Sequence, residues 1–455
     1  MVDVSLKKRI WGWYFFDWAS QPFYAVLNTF IFSPFFASIA AAYFLNSGFN
    51  EELADAKAQS LWAWSVALFG IIVAFSAPVF GAIADSTGRR MPWVMCFSLM
   101  YVIGSGFLWF TDPAASNLYW MLASFGVGFI GVEYLNIFVN AQIPTLGTRD
   151  EIGKISGSAC AFGYLGGFVS LVIVLALIVE QDNGLTIVGL EPLFGLAPEE
   201  REGTRATGIF TALWFAIFMV PYFMWVREDT VSSQRASLPK ALNSVMASIK
   251  GLHNKPSLAS YLLSSMLYRD GLNGLYTFGG VYAALVLNWE VSQIGAFGVV
   301  ALLGSALFSY LGGFADHKFG PKPIINFSII VLIGLSFIVV NLSPTTLFGV
   351  SLAEETNLAN TLFMVCGVLI GGFGGVLLST SRTLMVRHCD PNASTEYFGL
   401  YGLSGRATAF LAPLLIGITT QVTGSARLGI FPVIGLFVLS LIFLIWVNKD
   451  GKNYS

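Results

Sequence analysis

The chain has 455 residues, of which 55% are hydrophobic and only 11% are charged, and its mean hydropathy is +0.71. Soluble globular proteins carry about 25% charged residues, so this composition excludes an ordinary water-soluble protein and predicts a chain embedded mostly in lipid. Its 40 Phe, 16 Tyr and 12 Trp exclude a disordered chain, and the net charge of −2 argues against a protein that binds nucleic acid.

Apolar stretches long enough to cross a bilayer recur along the whole chain. A spanning helix needs about 20 mainly apolar residues. The first stretch follows Lys7, Lys8 and Arg9 but is much longer than the apolar core of a signal peptide, so we expect it to be retained. The chain divides at charged, Pro-rich and polar clusters into twelve predicted spans, numbered 1 to 12: 11–44, 60–84, 92–110, 117–143, 153–180, 207–226, 258–286, 291–315, 323–342, 358–386, 395–421 and 427–447.

The basic residues predict which side of the membrane each loop faces, because cytoplasmic loops carry the excess of Lys and Arg. An even number of spans places both termini on one side. Of the 24 Lys and Arg, three lie deep inside spans and four lie on the side opposite the termini, namely Lys57, Arg201, Arg205 and Arg427. The other seventeen lie on the side of the termini, which we therefore expect to be cytoplasmic.

Polar residues recur in spans 1 and 4 at intervals of three and four residues, which places them on one face of each helix. Ionisable groups inside a membrane cost about 2.5–3.5 kcal/mol each on insertion scales, so they usually face a protein interior or a wet cavity. We expect such a cavity beside both spans. The residues are Asp17, Gln21, Tyr24 and Asn28 in span 1 and Glu133, Asn136 and Asn140 in span 4.

Spans 7 and 10 are also polar, so that every third span carries a hydrophilic side. This recurrence of polar residues in every third span predicts one water-filled cavity lined by spans 1, 4, 7 and 10. At about 1.5 Å per residue, Glu133, Arg269 and Asp270 lie near the middle of the membrane. The residues in these two spans are Arg269, Asp270, Asn273 and Tyr276 in span 7 and Ser379, Ser381 and Arg382 in span 10.

One loop motif occurs twice, from Gly81 after span 2 and, 231 positions later, from Gly312 after span 8. The chain reads GAIADSTGRR in the first copy and GGFADHKFGPK in the second. Glycine permits a tight turn, and an aspartate at this position can meet the positive end of a helix. This pair of loops resembles the signature loop of the major facilitator superfamily, which implies twelve helices in two six-helix halves. The resemblance assigns a conformational latch to Asp85, Arg89, Arg90, Asp316 and Glu396.

The longest cytoplasmic connection divides the spans six and six. We therefore predict an N-terminal bundle at residues 1–227, a linker at 228–257 and a C-terminal bundle at 258–455. Apolar residues at helical spacing in the linker predict an amphipathic helix lying along the membrane surface. They are Leu238, Leu242, Val245, Met246, Ile249 and Leu252.

Small residues repeat every four positions in spans 5, 8 and 10, and such stripes let helices approach closely. We assign them to helix packing rather than to binding. The stripes are Ala159, Gly163 and Gly167 in span 5, Ser305, Ser309 and Gly313 in span 8, and Gly367, Gly371 and Gly375 in span 10.

Several separate motifs resemble one branch of the superfamily, the autophagy-related vacuolar amino-acid effluxers and their bacterial relatives. The similarity extends over most of the chain. It implies a transporter that exports or releases small amino acids or similar solutes, coupled to protons. The matching residues are Asp17, Trp18 and Ala19; Asn140, Ala141 and Pro144; Ser156, Gly157, Gly163, Tyr164, Gly166 and Gly167; Asp270 and Gly271; Ser381 and Arg382; and Glu396, Phe398, Gly399, Tyr401, Gly405 and Pro413.

The residues and the resemblance together predict an alternating-access transporter of a bacterial inner membrane, acting as a monomer on a small molecule without a cofactor or metal. Arginine can bind a carboxylate with two parallel hydrogen bonds, and a buried acid can carry a proton. Glu133 is the first candidate for the proton carrier and Asp270 the second. The predicted substrate-binding residues are Asp17, Gln21, Tyr24, Asn28, Asn136, Asn140, Arg269, Asn273, Tyr276 and Arg382.

Three other functions remain open at this point. An antiporter or facilitator for a phosphorylated or carboxylated metabolite would also use arginines on the cavity helices. An intramembrane enzyme is disfavoured, because the sequence has no G-x-S-x-G, H-E-x-x-H or Walker-type motif. A receptor built on a transporter frame would bind a ligand without moving it.

Overall fold

A computed structural model describes residues 4–114, 116–181, 183–226, 238–287, 289, 291–352, 357–406, 408, 411–423 and 426–451. In chain order the helices are α1 (Leu6–Pro22), α2 (Phe32–Asn46), α3 (Glu51–Thr87), α4 (Met91–Gly106), α5 (Leu118–Asn140), α6 (Ile152–Leu177), α7 (Glu202–Phe218), α8 (Val220–Trp225), α9 (Leu238–Gly251), α10 (Pro256–Leu287), α11 (Val291–Phe319), α12 (Pro321–Val340), α13 (Leu358–His388), α14 (Ser394–Arg406), α15 (Leu411–Thr423), α16 (Ala426–Gly429) and α17 (Phe431–Leu444). A π-helical segment, Phe23–Phe30, joins α1 to α2.

All twelve predicted spans are mainly helical in their described residues. Ten of them form helices or helix pairs that are long and apolar enough to cross a membrane. The other two are spans 7 and 11, which contain buried polar residues. Span 7 is the helix α10, whereas span 11 consists of two shorter helices, α14 and α15.

Span 1 also differs from the single α-helix that its sequence predicts. Pro22 has no backbone N–H, so it cannot donate to the carbonyl oxygen of Trp18 four residues earlier. The indole Nε1 of Trp214 in α7 supplies this hydrogen bond instead, at 3.2 Å. The wider π-helical turn then begins, and Ile31 N donates to the carbonyl oxygen of Val26, five residues back. The span is thus divided by Pro22 and the π segment.

The loop between spans 9 and 10 contains a small hairpin that the sequence analysis did not predict. Its antiparallel strands are β1 (Thr346–Leu347) and β2 (Val350–Ser351). The two turn residues, Phe348 and Gly349, both have positive φ, at 52° and 79°. A two-residue hairpin turn with this geometry requires positive φ at both positions, which Gly349 adopts readily.

Packing within the chain defines two compact units. Unit 1 contains residues 1–73, 88–139 and 162–232, and unit 2 contains residues 74–87, 140–161 and 233–455. The end of α3 and the beginning of α6 thus belong to unit 2, with most of the C-terminal half. The predicted division into bundles at residues 228–257 stays a prediction.

The small-residue stripes lie at close helix contacts, as their spacing predicts. In unit 1, a Cβ at Gly163 of α6 would lie 3.0 Å from the Cβ of Asp17 in α1. In unit 2, a Cβ at Gly157 would lie 2.5 Å from the Cα of Gly313 in α11. A real Cβ does not approach other atoms so closely, so these helices depend on glycine to pack.

The linker contains the predicted amphipathic helix, α9, while residues 228–237 lie outside the described part of the chain. Val245 is buried against Ala82 near the end of α3, and Val79 and Ile83 flank this contact. Leu242, Met246 and Ile249 lie beside Val245 at helical spacing and are exposed. The helix α9 therefore packs on α3 through Val245 and keeps exposed apolar side chains, whose contact with lipid stays a prediction.

Candidate functional site

Unit 1 holds a hydrogen-bonded cluster around Tyr24, the second residue of the π segment. The Tyr24 hydroxyl donates to Oε1 of Glu133 at 3.1 Å, and Nδ2 of Asn136 donates to the Tyr24 oxygen at 2.8 Å. Asn136 shares this amide group with the carbonyl oxygen of Val132, at 3.0 Å. Three residues predicted from spans 1 and 4 are thus brought together around one partly buried carboxylate.

The other polar residues of span 1 have different neighbours. Asp17 is buried, and its Cβ and backbone pack on Gly163 of α6. Gln21 packs one turn further along the same helix, with its Cγ 2.8 Å from the position of a Cβ at Gly167. Asn28 is half-buried within the π segment. The row predicted from sequence is therefore divided, because Asp17 and Gln21 face α6 whereas Tyr24 faces α5.

Unit 2 holds Arg269, a half-buried arginine in α10 that lies against α14. Its Nη1 donates to the carbonyl oxygen of Tyr401 at 3.0 Å, and its guanidinium carbon lies 4.6 Å from the centre of the Tyr401 ring. A Cβ at Gly405 would lie 2.1 Å from both the guanidinium carbon and Nη1. The missing side chain at Gly405 therefore makes the space in which the guanidinium rests.

The next residue, Asp270, holds the second half of span 11. It is buried, and its Oδ2 accepts a hydrogen bond of 3.2 Å from the backbone N–H of Ala412, in the first turn of α15. A carboxylate is favourable at this position because the first N–H groups of a helix lack partners within the helix. Interrupted spans often form the binding sites of transporters. Arg269 and Asp270 contact the two halves of such a span.

The remaining predicted binding residues of unit 2 lie at different places. Asn273 is exposed on α10, and Tyr276 is half-exposed with its hydroxyl against Gly374 of α13. Asn140 is buried at the end of α5, and its Oδ1 has no hydrogen-bond partner among the described residues. Arg382 is half-buried in α13 and interacts with neighbouring groups.

A buried tyrosine cluster near Arg269 was missed by the sequence analysis. The Tyr261 hydroxyl donates to the carbonyl oxygen of Ser381 at 2.6 Å, and the Tyr268 hydroxyl bonds to the Ser381 side chain at 2.7 Å. The Tyr261 ring stacks on both His388 and Tyr401. Tyr261 and Tyr268 are seven residues apart, and this helical spacing beside Arg269 was the available signal.

The first copy of the loop motif meets the beginning of α14. Oδ2 of Asp85 accepts a hydrogen bond of 2.9 Å from the backbone N–H of Glu396, in the first turn of that helix. The Ser394 hydroxyl donates to the carbonyl oxygen of Ala141 at 2.8 Å. The Ser248 hydroxyl of α9 donates a short hydrogen bond to Oε1 of Glu396. The start of α14 is thus bonded to three other segments of unit 2.

The second copy meets the beginning of α6. Asp316 is buried, with its Cγ 2.6 Å from the position of a Cβ at Gly153. Glu151 accepts hydrogen bonds from the backbone N–H and hydroxyl of Thr148, at 3.0 and 2.8 Å. These hydrogen bonds hold Glu151 against the turn that precedes α6, and the Thr148 donors hold the pKa of the Glu151 carboxyl below its ordinary value.

The two arginines of the first motif are more exposed to solvent than Glu396, the residue that bonds to Asp85. Arg89 is exposed and Arg90 is half-buried. Among the described residues, no group of three or more His, Cys, Asp or Glu side chains is arranged to hold a metal ion.

Comparison with known proteins agrees with this arrangement. The family model described as vacuole effluxer Atg22 like matches residues 5–453. The MFS-type transporter YxiO of Bacillus subtilis (strain 168) is 22% identical over 443 residues, covering 97% of this chain and 95% of that protein. Autophagy-related protein 22 of Kluyveromyces lactis is 19% identical over 488 residues, covering 97% and 93% of the two chains.

Solved structures show the same fold. The proton:xylose symporter XylE of the major facilitator superfamily, bound to 6-bromo-6-deoxy-D-glucose, matches with a TM-score of 0.71. The match covers 98% of both chains at 10% sequence identity. At this identity the likeness shows the fold alone, and that fold is the twelve-helix one that the repeated loop motif predicts.

Proposed function

Because the chain belongs to the Atg22-like effluxer family of the major facilitator superfamily, we propose that it exports a small amino acid or similar zwitterion by alternating access. Transport is coupled to protons and takes place in a bacterial plasma membrane. The chain is a multi-pass membrane transporter, and this family and fold consist of transporters rather than enzymes.

The observation that carries the choice of substrate is the position of Arg269. Its guanidinium is half-buried and is bonded to protein through Nη1 and the face of Tyr401, with no carboxylate bonded to it among the described hydrogen bonds. A planar guanidinium binds a carboxylate more strongly and more specifically than a neutral donor does. Arg269 is therefore the proposed partner of the substrate's carboxylate, and Arg382, Asn273 and Tyr276 are further proposed contacts.

Unit 1 offers the opposite charge. Glu133 is partly buried and is held by Tyr24 and Asn136, so its carboxylate has a fixed position that suits an ammonium group. Asp17, Gln21, Asn28 and Asn140 are the other proposed binding residues from spans 1 and 4.

Proton coupling is assigned to Glu133 first and to Asp270 second. A carboxyl group in a nonpolar environment exchanges between neutral and charged forms according to its hydrogen bonds and neighbours. The Tyr24 hydroxyl donates to Glu133, and the Ala412 N–H donates to Asp270. A change in either hydrogen bond during transport would then release or take up a proton.

The latch residues govern which side of the transporter is open. The hydrogen bond from Glu396 to Asp85 and the contact of Asp316 with Gly153 both join the ends of helices on the side where the two motifs lie. Breaking these contacts would open that side. Arg89 and Arg90 are proposed to hold this side near the lipid headgroups.

Counterflow in proteoliposomes tests the proposed function. Vesicles loaded with one unlabelled amino acid at a time should take up the same labelled amino acid faster than empty vesicles do. Arg269→Lys should retain folding but bind the carboxylate less well, because the lysine lacks the planar fork. If no amino acid gives counterflow while the purified protein still binds one, the protein is a receptor rather than a transporter.

A second substrate class is favoured by one observation, the presence of another half-buried arginine, Arg382. Two arginines would suit a phosphorylated or dicarboxylated metabolite. Flux assays with dianionic and zwitterionic solutes separate the two proposals. Faster counterflow of the dianion, lost in both Arg269→Ala and Arg382→Ala, would establish the metabolite transporter instead.

A further inference from the structure

The two copies of the loop motif place their aspartates in different surroundings. Asp85 is half-exposed, and its Oδ2 accepts the backbone N–H of Glu396. Asp316 is 1% exposed, and neither of its carboxylate oxygens has a hydrogen-bond partner among the described residues. One copy thus binds a donor at the start of a helix, whereas the other is buried without one.

Each helix packed around Asp316 fails to supply a donor. On the α6 side the carboxylate packs against Gly153. The Cγ of Asp316 lies 2.6 Å from the position that a Cβ at Gly153 would take. On the α13 side the Thr383 hydroxyl faces the carboxylate but does not reach hydrogen-bonding geometry. The carboxylate therefore contacts the side of the α6 backbone rather than its N–H groups.

The charged groups around this contact are bonded to other partners. Arg387 of α13 interacts with Asp450 and with the carbonyl oxygen of Lys449. His317, beside Asp316 on α11, bonds through Nδ1 to the carbonyl oxygen of Asp150, and the Lys154 ammonium of α6 lies over the Phe314 ring. Glu151 is bonded to Thr148. Arg387 and His317 still attract a negative charge at Asp316, but only at longer range.

A buried carboxylate without hydrogen bonds loses its hydration, and this penalty favours the neutral acid over the anion. We propose that Asp316 is a proton-binding site, neutral while α11 packs on α6 and ionised when this contact opens to water. On opening, the carboxyl O–H bond breaks and the proton passes to water. On closing, the carboxylate takes a proton back. This inference rests on the latch role proposed above, but it needs neither the substrate nor the assignment of Glu133.

The difference in proton affinity between the closed and the open contact sets the direction of the pH effect. The closed contact binds the proton more tightly than the open one, so it is most stable at low pH and is lost as pH rises. Asp85, which accepts the Glu396 N–H at the start of α14, is the matched residue of the other motif copy.

Spin labels at Arg149→Cys and Lys318→Cys, in a chain whose four native cysteines are replaced, measure the α6–α11 contact. Both positions are exposed, near the start of α6 and the end of α11. The short-distance population should fall about two-fold or more between about pH 5.5 and 8, where a buried carboxyl group titrates. Asp316→Asn, which mimics the neutral acid, should keep the short distance at every pH. Asp85→Asn, the matched change in the other copy, should leave the pH dependence of this distance intact.

A second measurement does not depend on the labels. An infrared difference spectrum between low and high pH should contain the C=O stretch of a protonated carboxyl group, absent from Asp316→Asn and present in Asp85→Asn. The proposal is overturned if Asp316→Asn retains the pH dependence of the parent, or if the short-distance population grows as pH rises. If, in addition, neither Asp316→Asn nor Asp85→Asn alters transport, the latch role itself is wrong.

Discussion

The guanidinium of Arg269 occupies the space that a side chain at position 405 would need. A Cβ at Gly405 would lie 2.1 Å from two of its atoms, while the Tyr401 carbonyl and ring hold it from the same helix. The orientation of the arginine proposed as the main partner of the substrate's carboxylate therefore depends on a glycine. Gly405 and Tyr401 act as positioning residues, since they affect the substrate only by holding Arg269 in place.

Gly405→Ala should displace Arg269 and weaken substrate binding about ten-fold, the effect of losing one hydrogen bond to a charged group, about 1.5 kcal/mol. The apparent affinity is measured by a thermal-shift titration with the amino acid that gives counterflow. Gly417→Ala is the matched control, because no atom lies within 4 Å of a Cβ at Gly417 of α15. Equal affinities for the two variants would show that Gly405 does not position Arg269.

Tyr24→Phe should lower the rate of uphill transport several-fold. The Tyr24 hydroxyl donates to Glu133 and accepts from the Asn136 amide, so its removal takes away the group that holds the carboxylate in one position. Initial rates of uptake at saturating substrate compare the variant with the parent. Tyr43→Phe changes an exposed tyrosine on α2 and should leave the rate unchanged. An unchanged rate in Tyr24→Phe would show that Tyr24 does not position Glu133.

The sequence predicted the number and place of the spans because lipid imposes one rule on every backbone segment. Buried N–H and C=O groups must bond within the helix, so apolar runs of sufficient length become helices. The aspartate of the loop motif likewise indicated that its carboxylate can meet the start of a helix. The contact of Asp85 with Glu396 follows from local chemistry, a carboxylate at the start of a helix.

The sequence could not predict how each helix turns about its own axis. The π segment after Pro22 rotates Tyr24 toward Glu133 while Asp17 and Gln21 remain on Gly163 and Gly167. A regular 3.6-residue period predicts one polar face for all of them. Rotation depends on neighbouring helices, here the Trp214 indole that replaces the hydrogen bond lost at Pro22.

Asp270→Asn and Asp270→Ala should separate two roles of this carboxylate. Asparagine still presents an oxygen to the Ala412 N–H but exchanges no proton, whereas alanine loses both functions. If Asp270 carries the coupling proton, Asp270→Asn should keep counterflow and lose uphill accumulation. If Asp270 only caps α15, Asp270→Asn should keep both, and Asp270→Ala should lower thermal stability by about 1 kcal/mol, as cap removal does. Normal uphill accumulation in Asp270→Asn would exclude Asp270 as the carrier.

Asp85→Ala should weaken the contact between the end of α3 and the start of α14. Losing the acceptor of the Glu396 N–H costs about 1 kcal/mol, which changes an open–closed equilibrium about five-fold. Spin labels at the exposed positions Ser86 and Asn392 report this contact. Asp85→Asn keeps an acceptor oxygen and should lie between the parent and Asp85→Ala. Unchanged distances and transport in Asp85→Ala would show that Asp85 is not a latch.

Gly157→Ala should separate α6 from α11, because its Cβ would lie 2.5 Å from the Cα of Gly313 and 2.6 Å from the carbonyl oxygen of Ser309. Backbone atoms cannot rotate away as a side chain can, so the helices themselves must shift. Overpacking of this kind destabilises a folded protein by about 1–3 kcal/mol. Gly334→Ala in α12, where a Cβ meets no atom within 4 Å, is the control and should be neutral or slightly stabilising. Thermal unfolding in detergent compares the two, and an equally stable Gly157→Ala would mean that the contact of Gly157 with Gly313 does not set the distance between α6 and α11.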